Sequence, residues 1–239
     1  MGILIGSARH DENGKLVGGK VGDQLQTGIG DLKGECSMQE FYIHSKLWFV
    51  LRPINKKLAT DLAFAMATAC NNPNFGYSQN CQRKTVDDIT SLIKLNVDCS
   101  KLIRDCIYYA SKKDVGNFTT ANEVAVLEKS GLFEKHFAFK SHTKTPLYNG
   151  DVLVTQTKGH TVIVVSGGVE RPNDGSYYPK YTGSAKSIVT ALHEVGEKDT
   201  SFTNRHNIGK ANGIINYTGT ATQNTQLLKL LKNGKLLRV

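Results

Sequence analysis

The sequence predicts an α+β fold in which helices pack on a small antiparallel sheet, followed by a small all-α module. Apolar residues recur at helical spacing between residues 58 and 131, and β-branched runs replace this pattern between residues 151 and 166. After residue 186, three short segments again have helical spacing. A run of helices followed by a pair of strands is typical of α+β domains.

Two helices are indicated clearly before the strands. The segment "LATDLAFAMATACNNP" carries one apolar face and ends at the two asparagines and the proline. The segment "DCSKLIRDCIYYA" carries a continuous apolar stripe at positions i, i+3, i+4, i+7, i+8 and i+11. The residues of this stripe are Cys99, Leu102, Ile103, Cys106, Ile107 and Ala110. A shorter helix, "TANEVAVLEKSGLF", is expected to stop at Gly131.

The β-branched runs "DVLVTQ" and "HTVIVVS" have turn residues on both sides and predict an antiparallel pair. The segment "GGVERPNDGSYYPKYTGSA" is rich in Gly, Pro, Ser and Asn, which favours a linker. Three predicted helices follow, and each ends at a glycine (Gly196, Gly213 and Gly234) where a left-handed cap is expected. The chain is therefore divided into a head (1–168), a linker (169–185) and a helical module (186–239).

The composition describes an ordinary globular protein of 239 residues with a 39% hydrophobic fraction. Its five cysteines, at positions 36, 70, 81, 99 and 106, form no CxxC pair. We therefore expect reduced thiols, with no disulfide framework, no metal site and no cofactor. The first residues, "MGILIGSARHDENG", hold too short an apolar run for a signal peptide, so we expect synthesis in the cytoplasm.

The formal charge of +9 favours a polyanionic partner. Residues 186–239 contain eight Lys or Arg and three acidic residues, a net +5. Nucleic acid, an acidic membrane surface and a bacterial wall polymer would all be attracted by such a surplus, so charge does not choose among them.

Cys99 is the candidate nucleophile. It lies in the first turn of a predicted helix, where unpaired backbone N–H groups favour a thiolate and would lower the pKa of the thiol. Asp98 is the expected N-cap. Cys106 lies two turns deeper on the same stripe and is interpreted as a core residue. The alternative for Cys99 is also a small buried core residue. The candidate base is His160, the first residue of a strongly β-forming run.

These motifs, in this order, resemble those of the NlpC-type papain-fold cell-wall peptidases. The motifs are "DCS" opening a helix, "GD" leading a strand and "GH" opening the next strand. Upstream, "NNPNFGYSQNCQR" is similar to a segment that precedes the catalytic cysteine in many phage members, although Tyr77 lies 22 residues before Cys99, farther than is usual there. The resemblance implies a papain-like head in which Cys99 and His160 are catalytic and Tyr77 contributes to oxyanion or substrate binding.

The third catalytic residue is the least defined. If Gly167 and Gly168 form a two-residue hairpin turn, odd-numbered residues of the returning strand share the face of His160. Asn173 is then the best-placed candidate and Glu170 faces away. The alternative, that Asn173 is only a turn residue, stays open.

The end of the chain looks like a wall-targeting module at the C-terminus of phage endolysins. The whole chain then resembles an endolysin that is made in the host cytoplasm and acts on the cell wall after release. The implied activity is cleavage of a peptide bond in the stem peptide or cross-link of peptidoglycan, with peptidoglycan and its associated wall polymer as partners and with neither nucleic acid nor membrane. The alternatives are an N-acetylmuramoyl-L-alanine amidase with the same Cys–His site and a non-catalytic basic protein that binds wall or nucleic acid.

Overall fold

The computed structural model describes residues 2–24, 35–169, 177–214 and 216–238. The chain divides into two compact units, Met1–Ile54 with Leu58–Arg171 and Asn55–Lys57 with Pro172–Val239. The first unit combines helices with a six-stranded sheet in which every strand pairing is antiparallel. The predicted α+β class is confirmed.

The sheet has the strand order β2-β1-β8-β7-β3-β6. Its strands are β1 (Leu4–Ala8), β2 (Cys36–Glu40), β3 (Trp48–Leu51), β6 (Phe137–Ala138), β7 (Val152–Thr155) and β8 (Thr161–Ser166). A separate parallel pair joins β4 (Phe75–Tyr77) to β5 (Leu95–Val97). The predicted pairing of the two β-branched runs is confirmed, since Val154 of β7 lies opposite Thr161 of β8.

The choice of Asn173 depends on a hairpin at Gly167 and Gly168, which would need a free edge on β8. Strand β8 already has β7 on one edge and β1 on the other, so no returning strand can pair with it. The N-terminal strand β1 occupies the place that a hairpin would have used. Asn173 itself lies outside the described residues, and the pairing that favoured it no longer supports its assignment.

The two faces of the sheet carry different cores. One face packs against α1 (Lys56–Cys70) and α2 (Cys99–Ser111), with α3 (Glu123–Lys129) contributing Leu127 to the same core. The other face carries Trp48, Val162 and Val164 beneath Phe139 and Leu147. Because side chains alternate along a strand, neighbouring residues of β8 belong to different cores.

The "GD" motif fixes β7 against its neighbours. Gly150 has a φ of +90°, and a Cβ placed on it would lie 2.1 Å from the carbonyl oxygen of Ala59 in α1. Asp151 is fully buried and accepts two hydrogen bonds from the Arg52 guanidinium, at 3.1 and 2.9 Å. Only glycine allows the close approach of α1, and the ion pair joins β7 to the end of β3.

The second unit holds α4 (Ile188–Glu194), α5 (Phe202–Ala211) and α6 (Ala221–Lys232) around their own apolar core. The three expected glycine ends are confirmed, since Gly196, Gly213 and Gly234 have φ values of 90°, 82° and 67°. Tyr178 and Tyr181, within the predicted linker segment, are buried in this core. No helix in the described ranges is long and apolar enough to cross a lipid bilayer.

Replacing Gly150 by alanine is expected to lower the free energy of unfolding by about 3 kcal/mol or more, because α1 or the 150 turn must move to admit the methyl group. The matched control is Gly116→Ala, since Gly116 has a φ of +89° but no atom within 4 Å of the place a Cβ would take. In the control, the free energy of unfolding should fall by only about 1–2 kcal/mol, which is the cost of holding an alanine in the left-handed conformation. Equal losses in urea unfolding of the two variants would contradict the close-packing explanation.

Candidate active site

Cys99 is the first residue of α2, and Asp98 is its N-cap as predicted. The Asp98 carboxylate accepts the backbone N–H of Lys101 at 2.8 Å and the hydroxyl of Ser100 at 3.1 Å. Cys106, seven residues on, is fully buried in the α-facing core, which confirms its interpretation as a core residue. The helix therefore places one of its two cysteines at its capped end and the other in the middle of the core.

Arg83 connects the segment that follows Tyr77 to the start of α2. Its guanidinium forms an ion pair with Asp98, donates to the Ser100 hydroxyl at 2.8 Å and also donates to the carbonyl of Phe118. A planar guanidinium with several fixed donors can hold these three acceptors at once. Arg83 thus orients the capping carboxylate immediately before Cys99.

The structure also brings Tyr77 to Cys99, despite their separation of 22 positions in the chain. Parallel pairing of β4 with β5 sets Tyr77 opposite Val97, two residues before the thiol. Burial raises the pKa of the Tyr77 hydroxyl, and the neighbouring Cys99 adds to the rise.

The extra residues between Tyr77 and Cys99 pack on α2 through a buried cation. Lys101 is fully buried and contacts Asp105 at 2.6 Å and Asp87 at 2.7 Å. Asp87 lies between Tyr77 and Cys99 in the chain, and its backbone N–H also donates to Asp105 at 3.0 Å. The longer spacing is thereby accommodated without separating Tyr77 from the helix start.

Glu123, the first residue of α3, is the other acidic group at the thiol. It is fully buried and accepts the Thr161 hydroxyl at 2.7 Å, while its second oxygen has no hydrogen-bond partner. Burial raises the pKa of Glu123 to about 8. The sequence reasoning missed this residue; its place at the start of a short predicted helix is the only signal that marks it.

The Cys99 thiol is held neutral by its surroundings. Burial raises its pKa to about 12, and the carboxylates of Asp98 and Glu123 add to the rise. Hydrogen bonding from the backbone of Thr161 and of Ser100 opposes it. The expected lowering of the thiol pKa at the helix start is therefore wrong, because desolvation and two acidic neighbours outweigh the backbone N–H groups.

His160 comes immediately before Thr161, whose backbone contacts the Cys99 thiol, but its ring lies toward Trp48. Its backbone pairs with Thr155, which lies opposite Trp48, and cross-strand partners share a face. The imidazole accordingly lies 6.5 Å from the Trp48 ring, measured between centroids. Burial lowers the pKa of His160 to about 3, with Arg9 and His44 adding to the fall.

The predicted residues are therefore brought together only in part. Tyr77 and the backbone of Thr161 both lie beside Cys99, whereas no hydrogen bond joins the His160 ring to the Cys99 sulfur within the described ranges. Asn173 falls outside those ranges. Glu123 and Arg83 complete the polar surroundings of the thiol.

A capped helix that presents a cysteine against an antiparallel sheet defines an α+β protein with a buried thiol site. The chain belongs to the endolysin-like domain family, whose model matches residues 5–171. The matched range includes β1 and β2 as well as the Cys99 helix, so the N-terminal strands are part of the domain.

Two curated relatives share shorter segments with this chain. A segment of 37 residues, 16% of this chain and 13% of the relative, is 60% identical to the L-alanyl-D-glutamate peptidase of Listeria phage A118. A segment of 36 residues, 15% of this chain and 11% of the relative, is 53% identical to the endolysin of Listeria phage A511. No solved structure matches the chain.

Glu123→Gln is expected to change how stability depends on pH. The pKa of Glu123 rises from 4.5 to about 8 on folding. Between these two pH values the unfolded chain has lost the proton that the folded protein still holds. The free energy of unfolding of the wild-type protein therefore falls as pH rises from about 4.5 to 8. Glutamine keeps the acceptor for Thr161 but cannot ionise. Relative to wild type, the variant should gain about 3–5 kcal/mol in unfolding free energy between pH 5 and pH 9.

The measurement is urea unfolding across that pH range, with Glu40→Gln, at an exposed carboxylate, as the control. A constant difference between Glu123→Gln and wild type at all pH values would show that Glu123 is ionised in the folded protein near neutrality.

Proposed function

We propose that this protein is a cysteine-dependent peptidoglycan hydrolase of the NlpC type. Residues 1–168 are the catalytic head, 169–185 the linker and 186–239 the wall-binding module. The observation that carries the proposal is Cys99 at the capped start of α2, beside Tyr77 and the first residue of β8, in a domain of the endolysin-like family. Peptidoglycan and its wall polymer are the proposed partners.

The neutral thiol and neutral imidazole set the order of proton transfers. The Cys99 sulfur attacks the carbonyl carbon of a wall peptide while its proton passes to His160. The C–S bond forms, the carbonyl oxygen takes up the negative charge, and the backbone N–H of Cys99 and the Tyr77 hydroxyl donate to it. His160 then protonates the leaving amine as the C–N bond breaks. Water hydrolyses the thioester and restores the thiol.

The imidazole lies beside the Trp48 ring in this structure, so the proposal requires it to reach the Cys99 thiol in the complex with a wall peptide. A pKa of about 3 leaves the imidazole neutral at pH 7, but a general base works best with a pKa near the working pH, so the proposal requires the bound peptide to raise the pKa of His160. The second candidate for the base is Glu123, whose carboxyl already lies against the Thr161 side of the thiol and has one oxygen without a partner. A carboxyl with a pKa of about 8 is largely protonated at neutral pH, which favours His160.

The type of bond that is cut is proposed from the thiol mechanism and from the name of one relative. The name of the Listeria phage A118 relative describes a peptidase acting on an L-alanyl-D-glutamate bond. We extend peptide-bond cleavage to this chain. The alternative, an amidase that cuts between the sugar and the stem peptide, uses the same thiol chemistry and differs only in which amide enters the site.

Cys99→Ala should reduce the lysis of purified walls at least about a thousandfold, because the nucleophile is removed, and should leave the fold intact. Clearing of wall suspensions is the measurement, with circular dichroism as the check on folding. Cys106→Ala is the control, since it opens a small core cavity and should lower stability while activity is retained. Full lysis by Cys99→Ala would exclude the thiol mechanism.

The assignment of His160 as the catalytic base is tested by the same clearing of wall suspensions. His160→Ala should abolish lysis, whereas Glu123→Gln should retain it at pH 7, and His142→Ala, at an exposed histidine, should match wild type. The opposite pattern, with lysis retained by His160→Ala and lost by Glu123→Gln, would assign the proton transfer to Glu123.

The second unit offers a place for a wall polymer. A groove of about 400 Å³ is lined by polar side chains of α6 and by apolar groups of the turn after α5. Gln226, Lys229 and Asn233 are exposed at helical spacing along this groove, beside Ile214 and Leu230. Amide and ammonium donors beside apolar surface suit an anionic or sugar-containing polymer.

Binding by this groove can be measured without lysis in the full-length Cys99→Ala protein. Lys229→Ala with Gln226→Ala should weaken wall binding about tenfold in a pull-down, whereas Lys198→Ala, which removes one exposed charge outside the groove, should change it little. Rising salt should weaken the electrostatic part of the binding. Equal effects of both changes, or tighter binding to duplex DNA than to walls, would overturn a groove-specific wall site.

A further inference from the structure

Three carboxylates meet in the N-terminal region, away from the thiol. Glu12, Asp23 and Glu35 each offer one oxygen, and these oxygens all lie within 4.8 Å of one another. Glu12 and Asp23 follow β1 in the chain, and Glu35 immediately precedes β2. A group of acidic residues at a surface would have no special meaning, because water would solvate each of them.

Glu35 is different because water does not reach it. Its side chain is fully buried, and neither carboxylate oxygen accepts a hydrogen bond from another of the described residues. One oxygen of Glu12 and one of Asp23 are buried and unpartnered in the same way. Leaving a buried carboxylate without a donor is strongly unfavourable. Here Glu35 is joined by two partly buried carboxylates, of which Glu12 accepts from the Asn13 amide through its other oxygen at 3.0 Å.

Within the described residues, no lysine, arginine or histidine forms an ion pair with any of the three. Lys20 and Lys94 exert only a weak favourable field on Asp23. Burial and the neighbouring acids Asp23, Glu12 and Asp11 raise the pKa of Glu35 to about 7. The three carboxylates therefore lie together without a cationic side chain of the described residues in contact with them.

We propose that Glu12, Asp23 and Glu35 bind a hard divalent cation, with Ca²⁺ preferred. The donors are all carboxylate oxygens, with neither imidazole nor thiolate, which is the ligand set of Ca²⁺ and Mg²⁺ rather than of zinc or copper. Ca²⁺ holds its ligands at about 2.3–2.6 Å, so oxygens on opposite sides of one ion are about 4.6–5.2 Å apart. All three oxygens lie within 4.8 Å of one another, close enough for a single ion to contact each of them.

The cation would fix the N-terminal loop to the part of the fold that carries Tyr77. Gly19 packs so closely that a Cβ on it would lie 2.5 Å from the Tyr77 carbonyl oxygen and 3.3 Å from the Glu12 carboxylate. The loop between Glu12 and Asp23 is thus in contact with β4. Neutralising the three carboxylates would remove their mutual repulsion and hold this loop in place.

The test uses the full-length protein at pH 7.5, stripped with EDTA and then titrated with CaCl₂ or MgCl₂. Isothermal titration calorimetry should give one saturable site for Ca²⁺, and saturating Ca²⁺ should raise the melting temperature of the first unit by about 4 °C or more. Glu35→Gln should weaken the apparent calcium affinity at least tenfold and abolish this rise. Glu40→Gln, at the exposed carboxylate that ends β2, should behave as wild type.

Asp23→Asn is the second variant, used if Glu35→Gln fails to fold, and it should lose calcium binding in the same way. A preference for Mg²⁺ over Ca²⁺ would retain the cation site but overturn the assignment of Ca²⁺. Absence of saturable heat and of any melting shift with either ion would overturn the site altogether. Calcium binding by Glu35→Gln and Asp23→Asn that equals wild type would place the ion elsewhere.

Discussion

Asp98 accepts hydrogen bonds from the backbone of Lys101 and from the Ser100 hydroxyl, and its other oxygen meets the Arg83 guanidinium. This largely buried carboxylate fixes the residue at which α2 begins and therefore fixes Cys99. Because Arg83 belongs to the segment that follows Tyr77, the same contact joins the upstream strand pair to the helix start. The remaining parts of the candidate site are arranged around this cap.

The cap also has an electrostatic consequence for the thiol. A carboxylate that satisfies the helix end lies next to the sulfur and, together with Glu123 and burial, opposes formation of a thiolate. The burial of His160 likewise opposes formation of an imidazolium. The two groups therefore rest as a neutral thiol and a neutral imidazole, and in the proposed mechanism nucleophilic attack coincides with proton transfer. A wall peptide that enters and displaces or orders these groups would complete the arrangement.

Local patterns in the sequence were sufficient for α2, its cap, the β7–β8 pair and the three glycine-terminated helices, because each depends on residues close together in the chain. The features that were missed depend on distant pairing. Strand β1 lies beside β8, and Glu123 meets Thr161 across 38 positions. The position of His160 near Trp48 depends on the pairing of β3 with β7, which periodicity along one strand cannot supply.

The central claim is that this thiol site cleaves an amide bond in the wall. Mass spectrometry of the soluble products, after incubation of the protein with purified walls, tests it most directly. We expect peptide-containing fragments with new free amino groups, absent when Cys99→Ala is used and accompanied by no new reducing sugar ends. A new amino terminus within the stem peptide or cross-link would identify a peptidase, and release of the intact stem peptide would identify an amidase. Fragments produced by breakage of the glycan strand, or equal products from Cys99→Ala, would contradict the claim.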